Sequence, residues 1–268
     1  MKINQNSGRV SNMIRPINLK YDLFGNAIAS VLFESGNTKV LVSVSMQDGV
    51  PQFLKGQKQG WLAAEYAMLP CAPSKRIMRE SNSNNKNGRS VEISRLIGRV
   101  LRSVIDFSAF PDRTINIDCD VLTADGGTRV ACISAASVAL KLAQARWLEL
   151  GIISRELFKE EIAAISVGKV GEKFYLDLDF SLDSSAGADF NFVLTRSGKL
   201  IEIQGTAEKE PLSMQDFEEL KNLAISGIKQ VFEYIDKLNL SNNININNNK
   251  ENKVPLFSLA NRLNNNLE

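Results

Sequence analysis

Residues 114–149 read TINIDCDVLTADGGTRVACISAASVALKLAQARWLE, and this stretch decides the fold. From Thr114 to Leu122 apolar and polar residues alternate, the pattern of a strand with one buried face. From Thr128 to Glu149 the chain is rich in alanine and free of glycine and proline, which predicts a buried helix. Between them lies Asp125-Gly126-Gly127. Two glycines let a backbone approach an anion closely. The helix start that follows offers unpaired N–H groups and a favourable dipole. Thr128 adds a hydroxyl, and Arg129 can grip a phosphate through two parallel hydrogen bonds. The spacing is not GxxxxGK[ST], which disfavours a nucleoside-triphosphate loop. Taken alone, the segment reads equally well as a plain strand–helix turn with an incidental arginine.

Working toward the N-terminus, Ser90–Val104 carries apolar residues at helical spacing (Val91, Ile93, Leu96, Ile97, Val100, Leu101, Val104). Gly88-Arg89 opens that helix, and Arg89 is either a second phosphate ligand or a solvated helix-end arginine. Residues 71–90 are polar and basic and predict a flexible loop. Trp61–Leu69 predicts a strand. Ala27–Glu34 and Lys39–Val44 flank Ser35-Gly36-Asn37 and predict a hairpin. Residues 1–14 are expected to form a loose arm.

Toward the C-terminus, Ile162–Val170 and Lys173–Asp179 predict paired strands around Gly171, and Ala188–Thr195 and Lys199–Gln204 a hairpin around Ser197-Gly198. Ser213–Leu238 predicts a long amphipathic helix. Strands followed by a helix, twice over, imply an α+β domain with an internal duplication spanning residues 15–238. Residues 239–268 include the asparagine-rich run SNNININNNKENK and are expected to be a disordered tail.

Composition narrows the chemistry. The 268 residues are 44% apolar and 23% charged, enough for a substantial core, and the net charge of +2 does not announce a polyanion partner. There is no histidine, which removes histidine bases, histidine metal ligands and Ser-His triads. Cys71, Cys119 and Cys132 form no CxxC pair and read as reduced thiols. No leader-like apolar region opens the chain and no apolar run approaches a membrane span, so a soluble cytoplasmic protein is expected.

Two further groups carry chemistry. Asp177, Asp179, Asp183 and Asp189 form an acidic set, with Asp183 and Asp189 flanking Ser184-Ser185-Ala186-Gly187-Ala188. Paired carboxylates without histidine suit magnesium, which prefers oxygen ligands and substrate phosphates; the same residues also read as a solvated acidic turn. Lys75, Arg76 and Arg79 sit in the 71–90 loop, with Lys55, Lys58, Phe53 and Trp61 nearby. Basic residues interleaved with aromatics suit single-stranded nucleic acid, or an ordinary solvated loop. Taken together, an arginine-lined anion site, metal-capable carboxylates and an RNA-compatible loop fit attack by inorganic phosphate on a phosphodiester. No protein nucleophile is then needed.

The motifs GWLAAEYAMLP (60–70), EISRLIGRVLRSVID (92–106), IDCDVLTADGGTR (117–129) and IEIQGTAEKEP (201–211) closely resemble, in order and spacing, those of the ribonuclease PH family, relatives of polynucleotide phosphorylase and of the exosome core. The resemblance covers about residues 8–237. It implies a phosphorolytic 3′→5′ exoribonuclease that trims tRNA precursors and releases nucleoside diphosphates. It implies a duplicated α+β fold related to the second domain of a small-subunit ribosomal protein, assembled as a homohexamer, a trimer of dimers. It also implies phosphate binding by Arg89, Gly127, Thr128 and Arg129, catalysis and magnesium binding by Asp183 and Asp189, and tRNA contacts by Arg76 and Arg79, with Lys75 as a neighbour. Asp125 is expected to support the turn. Two positions depart from the family pattern: Cys71 replaces an arginine expected to touch tRNA, and Ser7 replaces the acidic residue before Gly8-Arg9. A non-catalytic RNA-binding ring subunit is the alternative, and the presence of Arg89, Arg129, Asp183 and Asp189 argues against it.

Overall fold

The structure, a computed structural model, describes residues 10–79 and 87–248. The Ser7-Gly8-Arg9 motif, the Ser81–Asn85 run and the last twenty residues of the expected tail lie outside the described residues.

The first half builds a five-stranded sheet from β1 (Ile17–Tyr21), β2 (Ala29–Ser35), β3 (Thr38–Asp48), β4 (Trp61–Met68) and β5 (Arg113–Thr123), in the order β1-β2-β3-β5-β4. All pairings are antiparallel except β4 with β5. A parallel pair needs a crossover, and α1 (Gly88–Arg102) supplies it. The expected hairpin is β2–β3, closed at Ser35↔Thr38. One face of the sheet is mainly apolar: Val31, Val40, Val42, Val44, Ile115, Ile117 and Val121 are all inaccessible to solvent. That face receives α2 (Thr128–Glu149), which also contacts β6 of the second half. Burial on nearly every side explains why the helix is small-residue and apolar all round.

The second half places β6 (Ile162–Val170), β7 (Lys173–Leu176), β8 (Ala188–Thr195) and β9 (Leu200–Ala207) in the order β7-β6-β8-β9, wholly antiparallel. A short helix, α3 (Phe180–Ser185), precedes β8, and α4 (Met214–Asn248) closes the chain against β6, β7 and β8. Each half is thus a sheet closed by a long helix, although the strand orders differ.

β7 pairs only with Val167–Val170, which leaves the first half of β6 without a strand on that side. The gap is filled by hydroxyls of α2. Ser137 Oγ accepts from Ile162 N at 3.2 Å and Ser134 Oγ from Ala164 N at 3.0 Å. These serines sit in the helix because a buried strand N–H must find an acceptor.

Three expectations need correction. The strand from Lys173 ends at Leu176 rather than Asp179, because Asp177 turns the chain with φ of +56°. The segment after it is not a plain loop but contains α3. The last helix does not stop at Leu238. It runs to Asn248, since no glycine or proline lies between Gly227 and Pro255 to end it, and asparagine lowers helix propensity only modestly.

Candidate active site

The Asp125-Gly126-Gly127 turn lies where the two halves meet. Gly126 and Gly127 have φ of +74° and +67°. A Cβ on Gly126 would stand 2.5 Å from the carbonyl oxygen of Leu178 and 2.6 Å from the carbonyl carbon of Asp179. Only glycine therefore lets the turn press against the segment that leads into α3. Asp125 supports the turn, as its position suggested: its carboxylate accepts from Asn37 Nδ2 at 3.0 Å, and its N–H donates to Thr38 Oγ1 at 3.1 Å. The Thr38 hydroxyl donates in turn to the carbonyl of Gly126 at 2.7 Å. Beneath the turn, Arg15 donates to the carbonyl of Asp125 at 2.6 Å and is paired with Asp177 at 2.6 Å.

Gly127 caps α2 without a side-chain hydrogen bond, and the first turn of this 22-residue helix holds no acidic residue. Its first N–H groups are thus left for an anion. Thr128, the first helical residue, is buried, and its Oγ1 lies 3.1 Å from the hydroxyl of Tyr66 on β4. Burial pushes the Tyr66 phenol up to about 12, while Thr128, Arg89 and Arg129 pull it the other way. Arg129 donates through Nη1 to Gln204 Oε1 on β9 at 3.0 Å, and the same nitrogen is 3.6 Å from Glu92 on α1. Among the described residues both contacts use Nη1, which leaves Nη2 and Nε for a ligand. Arg89 is exposed in the first turn of α1, and its backbone N–H is capped by Asn87.

The acidic set divides. Asp177 is buried with Arg15, and Asp179 caps α3 by accepting from Leu182 N at 2.9 Å. Asp183 in α3 and Asp189 on β8 come together. Burial pushes the Asp183 carboxyl up, Arg89 and Arg129 oppose the rise, and Glu208 and Asp179 add to it. Burial also pushes Asp189 up, reinforced by the charges of Asp183 and Glu208 and opposed by Arg129. Glu208 follows β9, with its N–H on the carbonyl of Gly187 at 2.8 Å. The structure therefore gathers Arg89, Thr128, Arg129, Asp183 and Asp189 from both halves.

Tyr66, Gln204 and Glu208 are not legible as site residues in the sequence, nor is the pairing of Asp177 with Arg15. Tyr66 lies in an apolar strand and reads as core, and the others become neighbours only when the halves close.

Among the described residues no three Cys, Asp or Glu side chains gather closely enough to hold a metal ion alone. Magnesium commonly takes one or two carboxylates and completes its shell with water and substrate phosphate. Two carboxylates that each resist ionising, beside Arg129, fit that demand, because a cation would relieve the cost of burying both.

The basic loop starts beside the turn: the N–H of Ala124 donates to the carbonyl of Ala72 at 3.0 Å. Lys75, Arg76 and Arg79 are exposed, and among the described residues none forms an ion pair. Cys71 is exposed and unpaired, and Cys119 and Cys132 are buried free thiols.

The chain is similar to known nucleases. The chain matches the 3′ exoribonuclease family, domain 1 over residues 13–146 and domain 2 over residues 160–227. A ribonuclease PH of Neisseria meningitidis serogroup B is 44% identical over 226 residues, covering 84% of this chain and 93% of the relative. A ribonuclease PH of Tropheryma whipplei is 47% identical over 227 residues, covering 85% of this chain and 92% of the relative. In three dimensions the fold resembles the Archaeoglobus fulgidus exosome with RNA bound to the active site, with a TM-score of 0.71 and 19% identity over 85% of this chain and 91% of that one.

Proposed function

The chain belongs to the 3′ exoribonuclease family, and we propose that it is a phosphorolytic 3′→5′ exoribonuclease that trims tRNA precursors with inorganic phosphate and releases nucleoside diphosphates. One observation carries the reading. The uncapped start of α2, with Thr128 and Arg129, stands beside the Asp183–Asp189 pair supplied by the other half.

Phosphate would lie against the Gly127 turn and the first N–H groups of α2, held by Thr128, Arg129 and Arg89. These groups offset the repulsion between a phosphate and the phosphodiester it attacks. Holding both at the same place converts a bimolecular encounter into an oriented one. A phosphate oxygen then bonds to the phosphorus of the last linkage, and the bond to the 3′ oxygen of the shortened RNA breaks. Asp183 and Asp189 would hold a magnesium ion, which supplies charge stabilisation at the scissile phosphate. Lys75, Arg76 and Arg79 would contact tRNA phosphates away from the reacting bond. The homohexameric ring, a trimer of dimers, belongs to the same reading, and so does a cytoplasmic location; among the described residues no helix is long and apolar enough to cross a membrane.

The test is incubation with a tRNA precursor and magnesium, with and without inorganic phosphate. Nucleoside diphosphate release that requires phosphate is expected. Monophosphate release indifferent to phosphate would indicate hydrolysis, and intact RNA under both conditions would indicate a binding subunit.

A further inference from the structure

Tyr66 carries a buried hydroxyl, in contact with Thr128, that the reaction just described does not use. It is 4% exposed and is fixed from both sides. Its backbone N–H donates to Ser94 Oγ of α1 at 2.9 Å, and that hydroxyl donates to the carbonyl of Ser90 at 2.8 Å. Its phenol oxygen reaches Thr128 Oγ1 at 3.1 Å. Tyr66 thus bridges the two helices whose first turns carry Arg89 and Arg129.

The Tyr66–Thr128 bond can run in either direction. If Thr128 donates to the phenol, its only proton is spent inside the protein. If the phenol donates to Thr128, the threonine proton is free to point into the site. Phosphate oxygens accept readily, so a bound phosphate favours the second direction. Each bond in such a chain polarises the next. Because burial keeps the phenol neutral well above physiological pH, its proton is always present to donate. Without this partner, a threonine hydroxyl at the start of a helix turns toward a nearby backbone carbonyl instead.

We infer that Tyr66 is a positioning residue for phosphate: it donates to Thr128 Oγ1 and so presents the Thr128 proton to the attacking anion. This rests on the reading of the Thr128 turn as the phosphate site. Tyr66 touches neither phosphate nor RNA in this account.

The test uses the full-length protein, Tyr66→Phe, Thr128→Val, Thr128→Ser and the Tyr66→Phe/Thr128→Val double variant, with kcat and KM measured against phosphate at saturating RNA. Tyr66→Phe should raise the phosphate KM about three- to tenfold, the size of one neutral hydrogen bond. The kcat at saturating phosphate and the KM for RNA should change much less, the pattern of lost ground-state binding. The double variant should be no worse than Thr128→Val. Thr128→Ser should raise the phosphate KM less than Thr128→Val, since it retains the hydroxyl. Phosphate titration by calorimetry without RNA, on variants whose melting has been checked, gives the same comparison apart from turnover. A raised KM in Thr128→Val with none in Tyr66→Phe overturns the positioning role and leaves the phosphate site intact, as do additive effects in the double variant. Unchanged phosphate KM in both single variants overturns the phosphate site itself.

Discussion

The Arg15 guanidinium grips the Asp177 carboxylate with both hands, Nε to Oδ2 at 2.9 Å and Nη2 to Oδ1 at 2.6 Å, in the buried seam between the two halves. The remaining terminal nitrogen, Nη1, holds the carbonyl of Asp125. One side chain thus ties the first half's anion turn to the second half's β7–α3 connection.

Removing one partner strands the other charge away from water. Arg15→Ala is expected to lower stability by about 3–5 kcal/mol, as for other broken buried pairs. The Arg15→Ala/Asp177→Ala double variant should recover part of that loss. Urea denaturation of the three proteins measures both. A loss under about 0.5 kcal/mol in Arg15→Ala, the range of an ordinary surface substitution, would show that the pair does not hold the seam.

Glycine at 126 is demanded twice, by its φ of +74° and by the contact 2.5 Å away at Leu178. Gly126→Ala should displace α3 and with it Asp183, cutting turnover more than tenfold, beyond the strain of about 1–3 kcal/mol. Gly171 has φ of +57° but open space around it. Gly171→Ala should carry backbone strain alone and keep its activity. Equal turnover in the two variants would argue against the packing role of Gly126.

Burial holds the Asp183 and Asp189 carboxyls up, with Glu208 adding to both and the charge of Asp183 raising Asp189 further. A group with a raised folded value binds more protons when folded than when unfolded, between the ordinary carboxylate value and the raised one. Across that window, stability contributed by the pair falls as pH rises. Without divalent metal at neutral pH, Asp183→Asn and Asp189→Asn should therefore melt higher than the parent. That advantage should vanish below about pH 4, where carboxylates are protonated in both states. Magnesium should raise the parent's Tm more than theirs. Asp183→Asn should also lose activity while keeping RNA binding. Thermal melts across pH, with and without magnesium, decide the point, and a lower Tm for the asparagine variants at neutral pH would contradict it.

In the proposed phosphate site Arg129 would offer charged donors, each worth roughly 1.5–3 kcal/mol when removed. Arg129→Ala should raise the phosphate KM about ten- to hundredfold and slow turnover. Arg129→Lys should rescue this only in part, because an ammonium cannot make the parallel pair of bonds. Phosphate dependence identical to the parent would remove Arg129 from the site.

Alanine at Lys75, Arg76 and Arg79 together should weaken tRNA binding and flatten its salt dependence, each phosphate contact contributing about one unit of slope. Phosphorolysis of a short oligonucleotide should be spared. Binding measured over a salt series tests this, and an unchanged slope would place the tRNA path elsewhere.

Much of this site could be read from sequence because its parts are local. Asp125–Arg129 is a turn carboxylate, a glycine pair and a helix start in five residues just after β5, and each step constrains the next. Alternation in β5 and the all-round apolar character of α2 likewise come from neighbours in the chain. The hidden parts depend on distance. Asp177 reads as a member of the acidic set around Asp183 and Asp189, and only the fold brings it to Arg15, 162 positions earlier. Asp179 became a helix cap only because α3 exists, and six residues are too few for a clear helical period. Tyr66 reads as core in its strand, and only the closure of α1 and α2 around it brings its hydroxyl to Thr128.

The central claim is that inorganic phosphate is the attacking group. Incubation of the protein with a tRNA precursor, magnesium and isotopically labelled phosphate tests it most directly. The account predicts label in the terminal phosphate of the released nucleoside diphosphates, and about ten- to hundredfold slower labelling after substitution of Arg129 by alanine at low phosphate. Unlabelled nucleoside monophosphates released at the same rate with or without phosphate would contradict it.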